Sequence, residues 1–160
     1  MKFHEMVFTI QMDHAIIGGL LDSIARSNYK DARKKLAILH PLLVNHFLAE
    51  GFVLYPFMRK KMIKNDSFGQ TRLFDGLDNP DVIALIKELE KHDSVSTEII
   101  SLISECMQAG ENVFQEQFAR MASRIRARIA FEETRLLSGV DTSKTKLLRK
   151  ADFARLRIED

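Results

Sequence analysis

A chain of 160 residues and 18.4 kDa, 46% hydrophobic and 29% charged, has the length of one domain and the composition of a globular fold, which excludes intrinsic disorder. A formal charge of +2 excludes the large basic surplus of a nucleic-acid binder, and no run of ~18 uninterrupted apolar residues marks a membrane span. The start, MKFHEMVFTIQMDH, lacks the apolar core and cleavage site of a secretion signal, and the single Cys106 fits a reducing compartment, so a soluble cytoplasmic protein is expected.

Residues near 3 to 26 place Phe3, Val7, Ile10, His14, Ile17, Leu21 and Ile24 at alternating steps of four and three, the inward seam of one helix. The next helix is expected to start at Asp31 as its N-cap and to run to about residue 63. Its seam is Leu36, Leu39, Leu43, His46, Glu50, Leu54 and Phe57. Pro41 lies inside the pattern and is expected to kink or divide the helix, and Pro56 disturbs it beside Tyr55, whose hydroxyl can then reach a polar partner. The stretch KNDSFGQTRLFDGLDNP reads as a long loop ending in a cap at Asp78 or Asn79 with Pro80 in the first turn. A third helix follows on the seam Val82, Leu85, Leu89, His92, Ser96, Ile99, Ile103 and Cys106, the last as a small core residue. Gly110 separates a fourth, with Phe114, Phe118, Met121, Ile125, Arg128, Glu132 and Leu136 inward, and Gly139 stops it.

Four amphipathic helices with no strand-like alternation predict an all-α, up-down-up-down antiparallel four-helix bundle over residues 1–138. Residues 139–160 are left as a charged C-terminal segment, either a short fifth helix on Leu147, Leu148 and Phe153 or a tail.

The seams carry polar insertions at His14, His46, Glu50, His92, Ser96, Arg128 and Glu132. A buried imidazole or carboxylate without a partner costs several kcal/mol, so such groups on every helix demand one another or a metal ion. His46 and Glu50 stand four apart, one above the other on one face. His14 lies ~17 Å along its helix, a depth that an antiparallel bundle matches to His46, Glu50 and Glu132. Nitrogen and carboxylate donors suit iron, manganese or zinc. His14, His46, Glu50 and Glu132 are the ligands expected around one ion, with His92 a fifth ligand or the anchor of a second. The alternative is a metal-free cluster in which the Arg128 guanidinium takes the place of an ion against Glu132 or Glu50. His4 and His40 fall off the seams and read as half-exposed bystanders.

With these residues located, the chain resembles the hemerythrin-like, or HHE cation-binding, family. The resemblance rests on His14 in MDHAIIGGLLDSI, HFLAE followed by LYP over residues 46–56, His92 in ELEKHDSVSTEII, and EETRLL from Glu132. It implies a four-helix bundle around a non-haem iron pair and a role in sensing, storing or handling iron, oxygen or nitric oxide. His14, His46, Glu50, His92 and Glu132 match the ligands that the resemblance implies. Arg128 stands where the fourth helix of the family supplies a His, Ser96 where oxygen carriers have another, and Gly51 replaces a frequent second acid off the inward seam. A fixed charge at Arg128 opposes a second cation. The expectation is therefore a non-enzymatic metal-binding protein, meeting a metal ion or a small diatomic ligand, with a regulatory bundle lacking metal as the alternative. Neither nucleic acid nor membrane is expected as a partner.

Overall fold

The computed structural model describes residues 3–64 and 79–137, with side chains described over 3–59 and 84–137. The expectations for the 65–78 loop and for 139–160 fall outside these residues, as do the side chains of Val82 and Pro80.

Helix α1, Phe3–Ala25, buries its predicted seam from Val7 to Ile24. Helix α2, Tyr29–Ala49, begins two residues before the expected cap. Asn28, with extended backbone, caps it by accepting the Asp31 N–H at 2.9 Å. Asp31 instead lies in the first turn, where a negative charge suits the positive end of the helix. Pro41 does not divide α2, which runs through it as one helix. The carbonyl it cannot bond, on Ala37, belongs to the exposed face, where water can satisfy it.

The disturbance expected near Pro56 takes the form of a π turn, Glu50–Leu54, in which the Tyr55 N–H bonds the Glu50 carbonyl. Pro56 has no N–H for the regular bond to Phe52, so widening the preceding turn by one residue accommodates it. Helix α3, Tyr55–Lys64, then continues the same rod.

The single third helix predicted from its seam is interrupted. Helix α4, Asn79–Glu90, ends at a tight turn in which the Lys91 N–H bonds Glu88 at 3.2 Å, and helix α5, His92–Gln108, starts at once. The apolar register is kept across the break: Leu85 and Leu89 before it, and Ile99, Ile103 and Cys106 after it, are buried. Helix α6, Glu111–Phe131, is followed by a second π turn, Glu132–Leu136, closed by the Leu137 N–H on the Glu132 carbonyl at 2.9 Å.

The architecture is all-α, four rods in a ring: α1, the α2–α3 rod, the α4–α5 rod and α6. α2 lies between α1 and α5, and α6 closes the ring against both. The links between α1 and α2 and between α5 and α6 are too short for anything but antiparallel neighbours. Two apolar cores fill the bundle. One joins Leu21, Leu36, Leu39, Ile103 and Phe118; the other joins Val7, Ile10, Leu54, Met58 and Leu136. Each fully buried aliphatic side chain in them contributes about 1.5–3 kcal/mol. Between the two lies the polar layer.

Candidate metal centre

Eight polar or charged residues are buried among the described residues, and all but Thr9 gather in one layer of the bundle: Asp13, His14, His46, Glu50, His92, Arg128 and Glu132. α1 supplies His14, α2 supplies His46, and the two π turns each open on a glutamate, Glu50 and Glu132, both 0% exposed. A π turn packs one extra residue into the coil, so the carboxylate at its start and the hydrophobic residues after it can both face inward.

Donor atoms of His14, His46, Glu50 and Glu132 all lie within 4.8 Å of one another. Donors bonded to one ion at about 2.1 Å are about 3.4 Å apart in a tetrahedral set and about 4.2 Å when opposite, so side-chain closure of about an ångström brings the set onto a single ion. The two imidazoles present the same nitrogen to this point. His14 Nε2 is 3.0 Å from Glu132 Oε2 and 3.9 Å from Glu50 Oε1; His46 Nε2 is 3.0 Å from Glu50 Oε1. Both Glu50 oxygens are buried, and their nearest partners are the imidazole nitrogens, at angles poor for a hydrogen bond. A carboxylate so placed is one that a cation fits. The cluster is capable of chelating a metal ion.

Each imidazole turns its other nitrogen to a carboxylate that the periodicity does not single out. His14 Nδ1 meets Glu133 Oε1 at 2.5 Å, and His46 Nδ1 faces Asp13 Oδ2 at 3.6 Å. Such carboxylates fix the ring orientation and the tautomer of a metal-binding histidine. Their one sequence signal is adjacency, since Asp13 precedes His14 and Glu133 follows Glu132, which places both about 100° off the inward seams.

On the other side of Glu50 and Glu132 stands Arg128. Its Nε ion-pairs with Glu132 Oε1, one of its terminal nitrogens donates to the Tyr55 hydroxyl, and Tyr55 in turn donates to Glu132 Oε1. The same Arg128 nitrogen lies 3.2 Å from His92 Nδ1. His92 therefore sits apart from the four-residue set: its Nδ1 is 3.8 Å from Glu50 Oε2, and its Nε2 donates to the Phe47 carbonyl at 3.1 Å. The guanidinium occupies the space bounded by Glu132, Tyr55 and His92. Ser96, on the same helix as His92, is half-buried and bonds its own backbone at His92. Gly51 is less neutral than its off-seam position predicts, because a Cβ there would lie 3.0 Å from His92 Nε2. His4 and His40 are half-buried and outside the layer, and Cys106 is fully buried.

The charges follow from these distances. Burial works against a charged His14, but its bonds to Glu132, Glu50 and Glu133 outweigh burial and take it up to about 10. Burial likewise opposes a charge on His46, and the Glu50 charge and the Asp13 carboxylate overcome it, to about 9. Burial would raise Glu50, yet His46 and His14 hold it well below the usual carboxylate range. Burial and the Glu50 charge push Glu132 up. For His92, burial lowers the pKa and keeps the ring neutral. Without an ion, two imidazolium protons and one guanidinium thus balance the buried carboxylates.

Searches for similar proteins found no match for this chain among family models, curated proteins or solved structures.

Proposed function

We propose that this chain is a hemerythrin-like metal-binding protein that holds one transition-metal ion, iron, through His14, His46, Glu50 and Glu132. The buried cluster of these residues is consistent with that family. The observation that carries the reading is the convergence of four buried donors within 4.8 Å, with Glu50, 0% exposed, set between two imidazoles whose outer nitrogens face carboxylates. Mixed imidazole and carboxylate donors favour iron, manganese and zinc over calcium or magnesium.

The ion count follows from Arg128. Its fixed charge lies against Glu132 and beside His92, where a second cation would have to sit. His92 then serves the site indirectly, as a neutral ring whose Nδ1 accepts from the guanidinium. Two clefts, of about 280 and 460 Å³, both reach His92 and Gly51 from the surface and give a small ligand an approach to this edge of the layer. The clefts support sensing or handling of iron or of small oxygen-derived ligands by binding at this layer.

A second reading, a regulatory bundle without metal, has its own observation in the Arg128–Glu132 ion pair, which closes the layer with no ion. Thermal unfolding separates the two. Adding Fe(II) under anaerobic conditions to chelator-treated protein raises Tm on the first reading, by about 2.7 kcal/mol of stability at a hundredfold excess over Kd. A Tm indifferent to Fe(II), Mn(II), Zn(II) and chelator establishes the second. In the His14→Ala/His46→Ala double variant the metal effect disappears; a metal effect that persists there contradicts this ligand set.

A further inference from the structure

His92 is the one imidazole of the buried layer that the four-donor set leaves unused, and it stands where the layer meets the surface. Gly51, His92 and Asp93 line both clefts, of about 280 and 460 Å³, and none of His14, His46, Glu50 and Glu132 lines either. The far side of the His92 ring faces the layer, with Nδ1 3.2 Å from an Arg128 nitrogen and 3.8 Å from Glu50 Oε2. The ring is buried and so closes the path from cleft to carboxylate. Tyr55, which borders the smaller cleft as well, is tied in place by Arg128 and Glu132.

The ring is held by bonds that its partners can do without. The Phe47 carbonyl, which His92 Nε2 reaches at 3.1 Å, also accepts the Glu50 N–H, and the Arg128 nitrogen on Nδ1 also donates to the Tyr55 hydroxyl. A ring that turns out into a cleft bonds water with both nitrogens and leaves neither partner unbonded inside, which keeps the cost of turning low. Gly51 sets no side chain in the way: a Cβ there would lie 3.0 Å from Nε2 and 3.2 Å from Cδ2. His92 also opens α5, so the turn over which a helical side chain leans is here the break at Lys91. The path favours uncharged molecules. Val44, Phe47, Leu48, Phe52 and Ile100 wall the larger cleft, and its Ser96 and Thr97 hydroxyls already donate to carbonyls of their own helix. An ion passing there sheds its water with no hydrogen bond in return, whereas a small neutral molecule has little water to shed. Asp93, exposed on the rim, repels anions as well.

We propose that His92 is the gate of the metal layer: its ring turns out past Gly51 to admit a small uncharged molecule of diatomic size, and it does not itself bind the ion. This rests on the metal reading, and the test separates the two. One arm follows, by NMR of the chelator-treated full chain with isotope-labelled histidine, the exchange of the His92 Nε2 proton with water. Local opening gives exchange at a rate that mild urea leaves unchanged and that rises in Gly51→Ala; exchange that tracks urea as the core amides do reports global unfolding only and overturns the gate. The other arm mixes nitric oxide with the Fe(II)-loaded chain under anaerobic conditions. In Gly51→Ala and, separately, His92→Ala, association and dissociation quicken by the same factor, about tenfold, with Kd unmoved, because a gate alters the path and not the bound state. A changed Kd at an unchanged association rate puts His92 in contact with the ligand and overturns the proposal, as do rates in both variants equal to those of the parent. Should His92→Ala fail to fold, Gly51→Ala decides. A chain that takes up no Fe(II) strikes the metal reading and this proposal with it; one that takes up iron and fails either arm strikes the gate alone.

Discussion

At the scale of single residues, protons and a guanidinium hold the place of cations. With His14 at about 10 and His46 at about 9, both rings are protonated in the ion-free protein at neutral pH, and both must lose that proton to ligate. Binding of one divalent ion below pH 9 is therefore expected to release about two protons, read by calorimetry in buffers of different ionisation enthalpy; release of none would show that the imidazoles are not the ligands. The sign for stability is set by the same shifts. Raised above the ordinary 6.5, the two imidazoles stabilise the ion-free protein fully below pH 6.5, and that contribution is lost as pH rises through 9 to 10. Glu50, held low, adds stability that is lost as pH falls through its folded value. Urea midpoints of chelated protein should accordingly fall between pH 6.5 and 10. Arg128→Met is expected to cost about 3 kcal/mol in the chelated protein, because Glu132 loses its guanidinium partner and keeps only His14 and Tyr55, and to allow a second ion; a loss below about 1 kcal/mol would deny Arg128 its role. The inward residues His14, His46, Glu50, Arg128 and Glu132 were legible because charge on an apolar seam is conspicuous. Asp13 and Glu133 were not, since an acid one step off the seam looks like any solvated residue until the fold buries it or turns an imidazole toward it.

At the scale of elements, the two glutamates owe their positions to π turns. Glu50 and Glu132 each open one, and Tyr55, immediately after the first, reaches the carboxylate at the start of the second. Pro56 betrays the first turn in the sequence; nothing comparable marks Glu132–Leu136, because a wide turn without proline leaves no composition signal. The break at Lys91 was hidden for the opposite reason, an apolar register that stays in phase across it. Gly51 belongs at this scale, since it lets the first π turn and the start of α5 approach. Gly51→Ala sets a methyl 3.0 Å from His92 Nε2 and should destabilise by about 1–3 kcal/mol by displacing the ring from the Phe47 carbonyl. Unchanged stability with unchanged His92 NMR shifts would show that the contact yields freely.

At the scale of the whole molecule, a ring of four rods explains why residues far apart in sequence, His14 and Glu132 above all, lie 3.0 Å apart between two apolar cores. That much followed from four seams and short links, because periodicity reports which face is inward and antiparallel packing matches the depths. Which donors share an ion did not follow, since it depends on side-chain directions that a seam does not encode; His92 is inward yet lies across Arg128 from the other imidazoles. Anomalous diffraction at the iron edge from one crystal of Fe(II)-loaded protein tests the central claim most directly. The account predicts one iron peak per chain, bonded to His14 Nε2, His46 Nε2, Glu50 and Glu132, with the Arg128 guanidinium still against Glu132. No peak in that layer, or a peak on the His92 side of Arg128, would contradict it.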